Sequence, residues 1–228
     1  MAGSFVILIP GRTGSSYLVS SLAGHPGIDV EGERLVGIDT VEEQVAWVNR
    51  HFRRRSLRGR KRGFKTKLKD VRDLDRFRDE LEAHQASLIL MLRRDPLRQA
   101  ISVINARRLR ALHGVWNRTE DVPELGPLEL DLAELDQILE EVSFSGRQLE
   151  EFVSSTDLER IRIHYEDMLA DPDAVVRSVQ EFLGVPVRPL AGRTRKTTPD
   201  RLVHAITNHD ELCRHFEGTD YEAFLDRP

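Results

Sequence analysis

The residues best suited to chemistry in this chain lie in one short loop near the N-terminus. An apolar run, Phe5–Ile9, leads into the loop, and a segment with helical periodicity follows it. A strand, a glycine-containing turn and a helix start together bring several backbone N–H groups and the positive end of a helix dipole to one point. Residues 10–16, here called the anion loop, read Pro10-Gly11-Arg12-Thr13-Gly14-Ser15-Ser16. Glycines that permit close approach, three hydroxyl groups and an arginine fork suit a phosphate-like anion.

The anion loop lacks the lysine of a nucleoside-triphosphate loop. That motif is G-x-x-x-x-G-K-[ST], whereas no lysine stands directly before Ser15 or Ser16 here. No strand-ending aspartate suited to magnesium is evident either. A magnesium-dependent kinase is therefore disfavoured but stays an alternative, as does an ordinary strand–turn–helix connection.

A second arginine and a serine follow another buried apolar run. Arg94 comes at the end of Ser87–Leu92, and Ser102 follows eight residues later on a helix that Pro96 begins. Both side chains can face the crevice at the carboxyl edge of a parallel sheet, where nucleotides bind. Taken singly, Arg94 could equally pair with Asp95 in solvent, and Ser102 could pack under the sheet.

Taken together, "PGRTGSS" and "RRDPLRQAIS" resemble the two donor-binding signatures of sulfotransferases that use 3′-phosphoadenosine 5′-phosphosulfate (PAPS). The segments "HYEDMLADPDAVVRSVQEFLGVP" and "TRKTTPDRLVHAITNHDELCRHFEGTDYEAFL" are also similar to that family, the second to its bacterial glycan and trehalose branch. The resemblance runs in the same order over nearly the whole chain. It implies a P-loop-like, three-layer α/β/α fold with a mostly parallel central sheet.

The resemblance also implies which residues hold the donor. The 5′-phosphosulfate would be held by Gly11, Arg12, Thr13, Gly14, Ser15 and Ser16, and the 3′-phosphate by Arg94 and Ser102. A late basic loop that contains Arg195, Lys196 and Thr197 matches a further 3′-phosphate contact of the family. Members of the family transfer the sulfuryl group without magnesium, so no metal is expected, and Arg12 supplies the positive charge at the 5′ end.

Transfer to a hydroxyl group needs a base and a cation near the moving group. In the carbohydrate and tyrosine branches a glutamate in an "HP…GE" context is the base, and the matching residue here is Glu33. Glu31 and His25 stay open as alternatives. The phenol and steroid enzymes instead use a histidine in "KTH", where this chain has Lys67, while Lys65 matches the lysine that stabilises the moving sulfuryl group.

Several elements must position these residues. The predicted strands are Phe5–Ile9, Gly63–Thr66, Ser87–Leu92 and Arg160–His164. The predicted helices are one beginning near Ser15, one from an N-cap at Thr40 to Phe52, Leu74–His84, one from Pro96 to Leu112, Leu132–Val153 and Val175–Leu183. Strands that alternate with helices indicate an α/β fold with a mostly parallel sheet.

The bulk properties restrict the class of protein. The chain has 228 residues, 39% of them hydrophobic, and a net charge of −4, which favours one sulfotransferase-like domain over residues 1–228 and gives no attraction to nucleic acid. Cys213 is the single cysteine, no apolar run is long enough to span a membrane, and no basic region precedes the first apolar run. We therefore expect a cytoplasmic enzyme without a membrane span or signal peptide.

The acceptor side is less defined. The basic run Arg53–Arg62 is either a solvated helix end or a rim that attracts an anionic substrate, and Trp116 could stack on a sugar or anchor its own loop. By resemblance the acceptor is a hydroxyl-bearing carbohydrate or small molecule. Its identity, the oligomeric state and the alternative of a non-catalytic nucleotide-binding protein stay open.

Overall fold

The computed structural model describes residues 3–53, 59–196 and 201–225. Its strands are β1 Ser4–Leu8, β2 Ile28–Glu33, β3 Lys61–Thr66, β4 Ser87–Leu92 and β5 Arg160–His164. Its α-helices are α1 Ser15–Leu22, α2 Val41–Arg53, α3 Leu74–Ala83, α4 Pro96–His113, α5 Leu132–Ser154, α6 Tyr165–Ala170, α7 Pro172–Phe182, α8 Leu202–Ala205 and α9 His209–His215. Two 3₁₀ helices are described as well, Leu68–Asp70 and Asp220–Phe224.

The chain forms two compact units. The first comprises residues 1–94 and 145–193, and the second comprises residues 95–144 and 194–228. The first unit contains the sheet and the part of α5 from residue 145 onwards. The prediction of one sulfotransferase-like domain over residues 1–228 stays a prediction.

Within the described part of the first unit, five strands form one sheet in the order β2-β3-β1-β4-β5, and every pairing is parallel. β1 is the central strand, with all five residues buried. The connection after β1 therefore begins between the carboxyl ends of β3 and β4, a position where open α/β sheets bind ligands. Residues that follow β3 and β4 are thereby brought beside the anion loop.

Alternate residues of the strands feed two separate cores. Val6, Leu8 and Phe64 pack on one face with side chains from α2, α3 and the end of α5. Phe5 and Ile7 pack on the other face with α1, α6 and α7. This arrangement confirms the predicted three-layer α/β/α fold with a parallel sheet, and it fixes the face on which each residue of β3 lies.

The second unit is helical and has its own apolar core. Leu97 and Ile101 of α4 pack with Leu135 of α5, and with α8 and α9. A short backbone pairing joins Leu128 to Ile206, supported by a 2.8 Å hydrogen bond from the Leu128 N–H to the Ala205 carbonyl. The loop after α4 is thus connected to the C-terminal segment of the chain.

Most predicted elements are present in the structure, and β2 is the one strand that was not predicted among the described residues. The Thr40 hydroxyl accepts from the Glu43 N–H at 3.2 Å before α2, Pro96 begins α4, and β5 spans the predicted residues. No element was predicted for residues 28–33, and they form an edge strand. No helix in the described ranges is long and apolar enough to cross a membrane.

Candidate active site

The anion loop has an unusual backbone between β1 and α1. Gly11, Arg12 and Gly14 have φ values of +113°, +54° and +75°. Arg12 is not a glycine, so its left-handed conformation costs free energy that the surrounding structure must repay. Positive φ values at three of the four residues 11–14 make a tight turn, and successive backbone N–H groups in such turns can form an anion-binding nest.

Gly14 is required at the start of α1 for two reasons. Its φ is left-handed, and a Cβ added there would lie 2.9 Å from Cδ2 of Tyr165. Gly14 is also the N-cap residue, and no side chain of the described residues caps α1 through a hydrogen bond. The positive end of α1 therefore faces the loop without a side-chain oxygen that would neutralise it.

Thr13 provides the most direct sign that the loop holds a ligand. Its side chain is fully buried, with 0% relative exposure. Its hydroxyl oxygen has no hydrogen-bond partner among the residues that the structure describes. Burial of a hydroxyl without a partner costs free energy, and such groups in native proteins call for a specific explanation. An anion in the loop would give this hydroxyl a group to which it can donate.

Arg12 of the anion loop lies near a second arginine, Arg93. Burial, followed by repulsion from Arg93, lowers the pKa of Arg12. The Arg93 side chain is 6% exposed, and its guanidinium carbon lies 4.4 Å from the centre of the Tyr165 ring, as in a cation–π contact. The sequence patterns had assigned no role to Arg93 or Tyr165. Their positions directly after β4 and β5 were the available signal.

Glu33 reaches the same site because β2 carries a bulge. Glu31 is paired with Phe64 and Glu33 with Lys65, so Gly32 is an extra residue in the register. Without it, Glu31 and Glu33 would face the same side of the sheet; with it, they face opposite sides. Glu33 thereby shares a face with Lys65 and α1.

Glu33 is held by two lysines. Lys65 Nζ lies 3.1 Å from Oε1 of Glu33, and Lys67 Nζ contacts Oε2. Lys65 Nζ also donates to Oγ of Ser16 at 3.3 Å, which links the carboxylate to the anion loop. Burial raises the pKa of Glu33, but the two lysines outweigh burial, so the net pKa lies below its usual range. The carboxylate is therefore ionised at neutral pH, as a proton acceptor must be.

The two alternative bases have other contacts. Glu31 lies 2.5 Å from Nε of Arg34 and 3.4 Å from His51 Nδ1, on the opposite face of the sheet from Lys65. His25 is buried, its Nδ1 accepts from the Gly27 N–H at 2.9 Å, and its Nε2 lies 2.8 Å from the Pro186 carbonyl oxygen. This geometry favours Glu33 over both.

Arg94 lies at the carboxyl edge of the sheet with a protein partner. Its Nη1 and Nη2 donate to the two carboxylate oxygens of Asp167 at 2.7 and 2.9 Å, and Nη2 lies 3.1 Å from His164 Nδ1. The side chains of Arg94 and Asp167 are 51% and 50% exposed. The hydrogen bond from Arg94 is the main cause that lowers the pKa of Asp167.

The remaining predicted donor residues belong to the second unit. Ser102 is buried on α4. The carbonyl of Lys196 accepts from Arg118 at 3.2 Å, and Arg195 pairs with Glu120. Thr197 lies outside the described residues. The assignments of Arg94, Ser102, Lys196 and Thr197 to the 3′-phosphate stay predictions.

The basic run Arg53–Arg62 is described only at its ends, since residues 54–58 lie outside the described ranges. Arg53 ends α2, whereas Arg62 is buried in β3 and lies 2.7 Å from Asp29. Arg62 is therefore a structural residue rather than part of a solvated rim. Among the described residues, no group of three or more His, Cys, Asp or Glu side chains could hold a metal ion.

The fold and the loop define an α/β protein with a candidate anion site at the carboxyl end of its central strand. A model of the sulfotransferase family matches residues 81–189. Nodulation protein H of Rhizobium tropici is 28% identical, in a match that covers 97% of this chain and 92% of the relative. The protein of the same name from Rhizobium meliloti is 29% identical, and the match covers 97% and 94%.

Solved structures agree with these matches at the level of the fold. A crystal structure of a sulfotransferase from Alicyclobacillus acidocaldarius superposes with a TM-score of 0.52 at 18% identity, covering 100% of this chain and 97% of that one. The family match and the two relatives confirm the resemblance to sulfotransferases seen in the motifs of this chain. The chain is accordingly an enzyme, and the kinase and non-catalytic alternatives are disfavoured.

Proposed function

We propose that the protein transfers the sulfuryl group of PAPS to a hydroxyl group of a carbohydrate or small-molecule acceptor, with Glu33 as the general base. The observation that carries the proposal is the position of Glu33: a bulge turns it to the face of the sheet where Lys65 connects it to the anion loop. A carboxylate, a lysine and an anion site within one cluster are the groups that sulfuryl transfer requires.

The anion loop is proposed to hold the 5′-phosphosulfate end of the donor. The buried Thr13 hydroxyl, the left-handed backbone at Arg12 and the uncapped start of α1 all fit a multiply charged anion. Gly11, Gly14, Ser15 and Ser16 complete this cradle. Arg94, Ser102, Lys196 and Thr197 are proposed, on the family resemblance, to bind the 3′-phosphate.

PAPS supplies an activated sulfuryl group on its 5′-phosphate, and the side chains of this chain perform three tasks around it. Glu33 accepts the proton of the acceptor hydroxyl as the hydroxyl oxygen bonds to sulfur and the bond between sulfur and the 5′-phosphate oxygen breaks. Lys65 and Arg12 neutralise the negative charge that develops on the oxygens of the sulfuryl group and on the departing phosphate. Because these cations come from the protein, no metal ion is required. A cytoplasmic location stays a prediction.

The proposal is tested by the transfer of labelled sulfate from PAPS, in EDTA, to a panel of sugars, phenols and peptides. We expect wild-type enzyme to label a carbohydrate or small-molecule acceptor. Glu33→Gln should reduce transfer by about 100-fold or more, because the amide cannot accept the proton. Glu31→Gln, the matched control on the opposite face of β2, should retain most of the activity.

Binding of adenosine 3′,5′-bisphosphate should be the same in wild-type protein and Glu33→Gln. This result would show that the substitution affects the chemical step and leaves the donor site intact. Wild-type turnover in Glu33→Gln, with loss of turnover in Glu31→Gln, would contradict the assignment of the base.

A further inference from the structure

Glu33 has two cationic partners, and the family resemblance accounts for only one of them. Lys65 matches the lysine that stabilises the moving sulfuryl group. Lys67 stands where the phenol and steroid enzymes have a histidine, and no role follows for a lysine there. Yet Lys67 Nζ contacts Oε2 of Glu33, and it also lies 3.8 Å from Oδ2 of Asp70.

The two lysines differ in what else they contact. Lys65 Nζ is shared between Oε1 of Glu33, at 3.1 Å, and the hydroxyl of Ser16 on the anion loop, at 3.3 Å. The Lys67 stem passes beside Gly11, with Cε 3.7 Å from the place where a Cβ would stand. Nζ of Lys67 contacts two carboxylates, those of Glu33 and Asp70. Nζ of Lys65 thus links the base to the loop, whereas Nζ of Lys67 lies between the carboxylates of Glu33 and Asp70.

We propose that Lys67 is a positioning residue for Glu33, which it keeps oriented and ionised while Lys65 serves the transferred group. The proposal rests on the proposed function, because it gives Lys67 a task only if Glu33 is the base. A lysine behind the base also balances the charge of a carboxylate that must stand beside an anionic donor.

The charged groups around Glu33 predict the direction in which its pKa changes when Lys67 is replaced. Lys65 from β3, Lys67 from the segment after β3 and Arg12 from the anion loop face it, and Asp70 lies behind Lys67. Burial alone raises the pKa of Glu33, and the lysines bring it below the usual range. Loss of Lys67 removes one of the two lysines that oppose this rise, so the pKa of Glu33 must increase. Glu33 would then take up a proton, and lose its function as a base, at a higher pH than in wild type.

The test compares wild-type protein with Lys67→Met, Lys67→Arg and Lys69→Met. Lys69 is an exposed neighbour on the 3₁₀ helix that directly follows Lys67, so its substitution removes an equal charge away from the site. The carboxyl carbon of Glu33 is followed by ¹³C NMR as the pH is changed, and the acid limb of turnover is recorded in parallel. The affinity for adenosine 3′,5′-bisphosphate is measured for every variant.

We expect Lys67→Met to raise the midpoint of Glu33 by about one pH unit or more, and to move the acid limb of turnover by a similar amount. Lys67→Arg and Lys69→Met should titrate like wild type. Lys67→Gln repeats the test should Lys67→Met fail to fold.

An unchanged midpoint in Lys67→Met would overturn the proposal. If the unchanged midpoint came with a tenfold loss of nucleotide affinity, Lys67 would be a ligand of the donor instead. A wild-type protein that transfers no sulfuryl group would end the proposed function, whereas the titration would still decide whether Lys67 controls the charge of Glu33.

Discussion

The anion loop and the end of β4 each present an arginine at the carboxyl edge of the sheet, and the two differ in what surrounds them. Arg12 lies in a strained loop beside a buried hydroxyl that has no partner in the described part of the chain. Arg94 is half exposed and already makes a two-point pair with Asp167. Under the proposed function, an anion would add a partner for the Thr13 hydroxyl in the first region, whereas in the second region it would have to replace Asp167 as the partner of Arg94.

This difference bears on how much each region contributes to donor binding. A preorganised group with unsatisfied donors contributes most of its interaction energy to the ligand, because the cost of burial is already present in the free protein. An exposed arginine that leaves a carboxylate for a phosphate gains only the difference between two ion pairs. We therefore expect the anion loop to dominate affinity and Arg94 to contribute specificity for the 3′-phosphate.

The largest effect is expected for Arg12→Ala. If Arg12 faces the anion as proposed, loss of this half-buried guanidinium should weaken the binding of adenosine 3′,5′-bisphosphate by about 100-fold, measured by calorimetry in EDTA. Arg12→Lys keeps the charge but loses the planar fork, so its affinity for the nucleotide should lie between those of wild type and Arg12→Ala. An unchanged affinity in Arg12→Ala would contradict the assignment of the anion loop to the donor site.

Thr13→Val separates binding from stability. The valine fills the same space without a hydroxyl, so we expect about a tenfold loss of affinity for the nucleotide, since one hydrogen bond to a charged group is lost. The melting temperature of the free protein should be unchanged or higher, because a buried hydroxyl without a partner is removed. A lower melting temperature with unchanged affinity would show that this hydroxyl has a structural role instead.

Arg94→Ala sharpens the comparison through the choice of nucleotide. It should weaken the binding of adenosine 3′,5′-bisphosphate by several-fold up to about tenfold, because its pair with Asp167 already offsets part of the gain. The binding of adenosine 5′-monophosphate, which lacks the 3′-phosphate, should change little. An equal loss for both nucleotides would contradict the assignment of Arg94 to the 3′-phosphate.

The smallest effect is expected for Asp167→Asn, in the opposite direction. Removal of the competing carboxylate should strengthen the binding of adenosine 3′,5′-bisphosphate by about threefold, as expected for an exposed ion pair. The effect should decrease at high salt, which screens exposed charges. Weaker binding would show that Asp167 orients Arg94 for the ligand rather than competing with it.

The parts of the fold that the sequence predicts are those with a strong local signal. β1 and β4 are short runs of apolar residues. α2 follows Thr40, which caps it, and α4 begins at Pro96, and both residue types favour these positions. β2 was missed because, as an edge strand, it has few apolar residues and a glycine at its bulge. The division into two compact units had no signal in composition.

The candidate site shows the same division between local and non-local information. The anion loop is contiguous, so its motif identifies it. Glu33 was found only through the resemblance, because its approach to Lys65 depends on a bulge that no local pattern reveals. Arg93 and Lys67 follow different strands, and the strand order brings both beside the loop. Their involvement needed the three-dimensional structure.

The most direct test of the central claim is the melting temperature of the wild-type protein with adenosine 3′,5′-bisphosphate in EDTA. At a concentration about 100 times the dissociation constant, we expect an increase of about 5 °C or more, with no further increase when magnesium is added. ATP with magnesium should stabilise the protein much less. Stabilisation by ATP that requires magnesium, without any by adenosine 3′,5′-bisphosphate, would contradict the account of the anion loop as a metal-independent site for a sulfuryl donor.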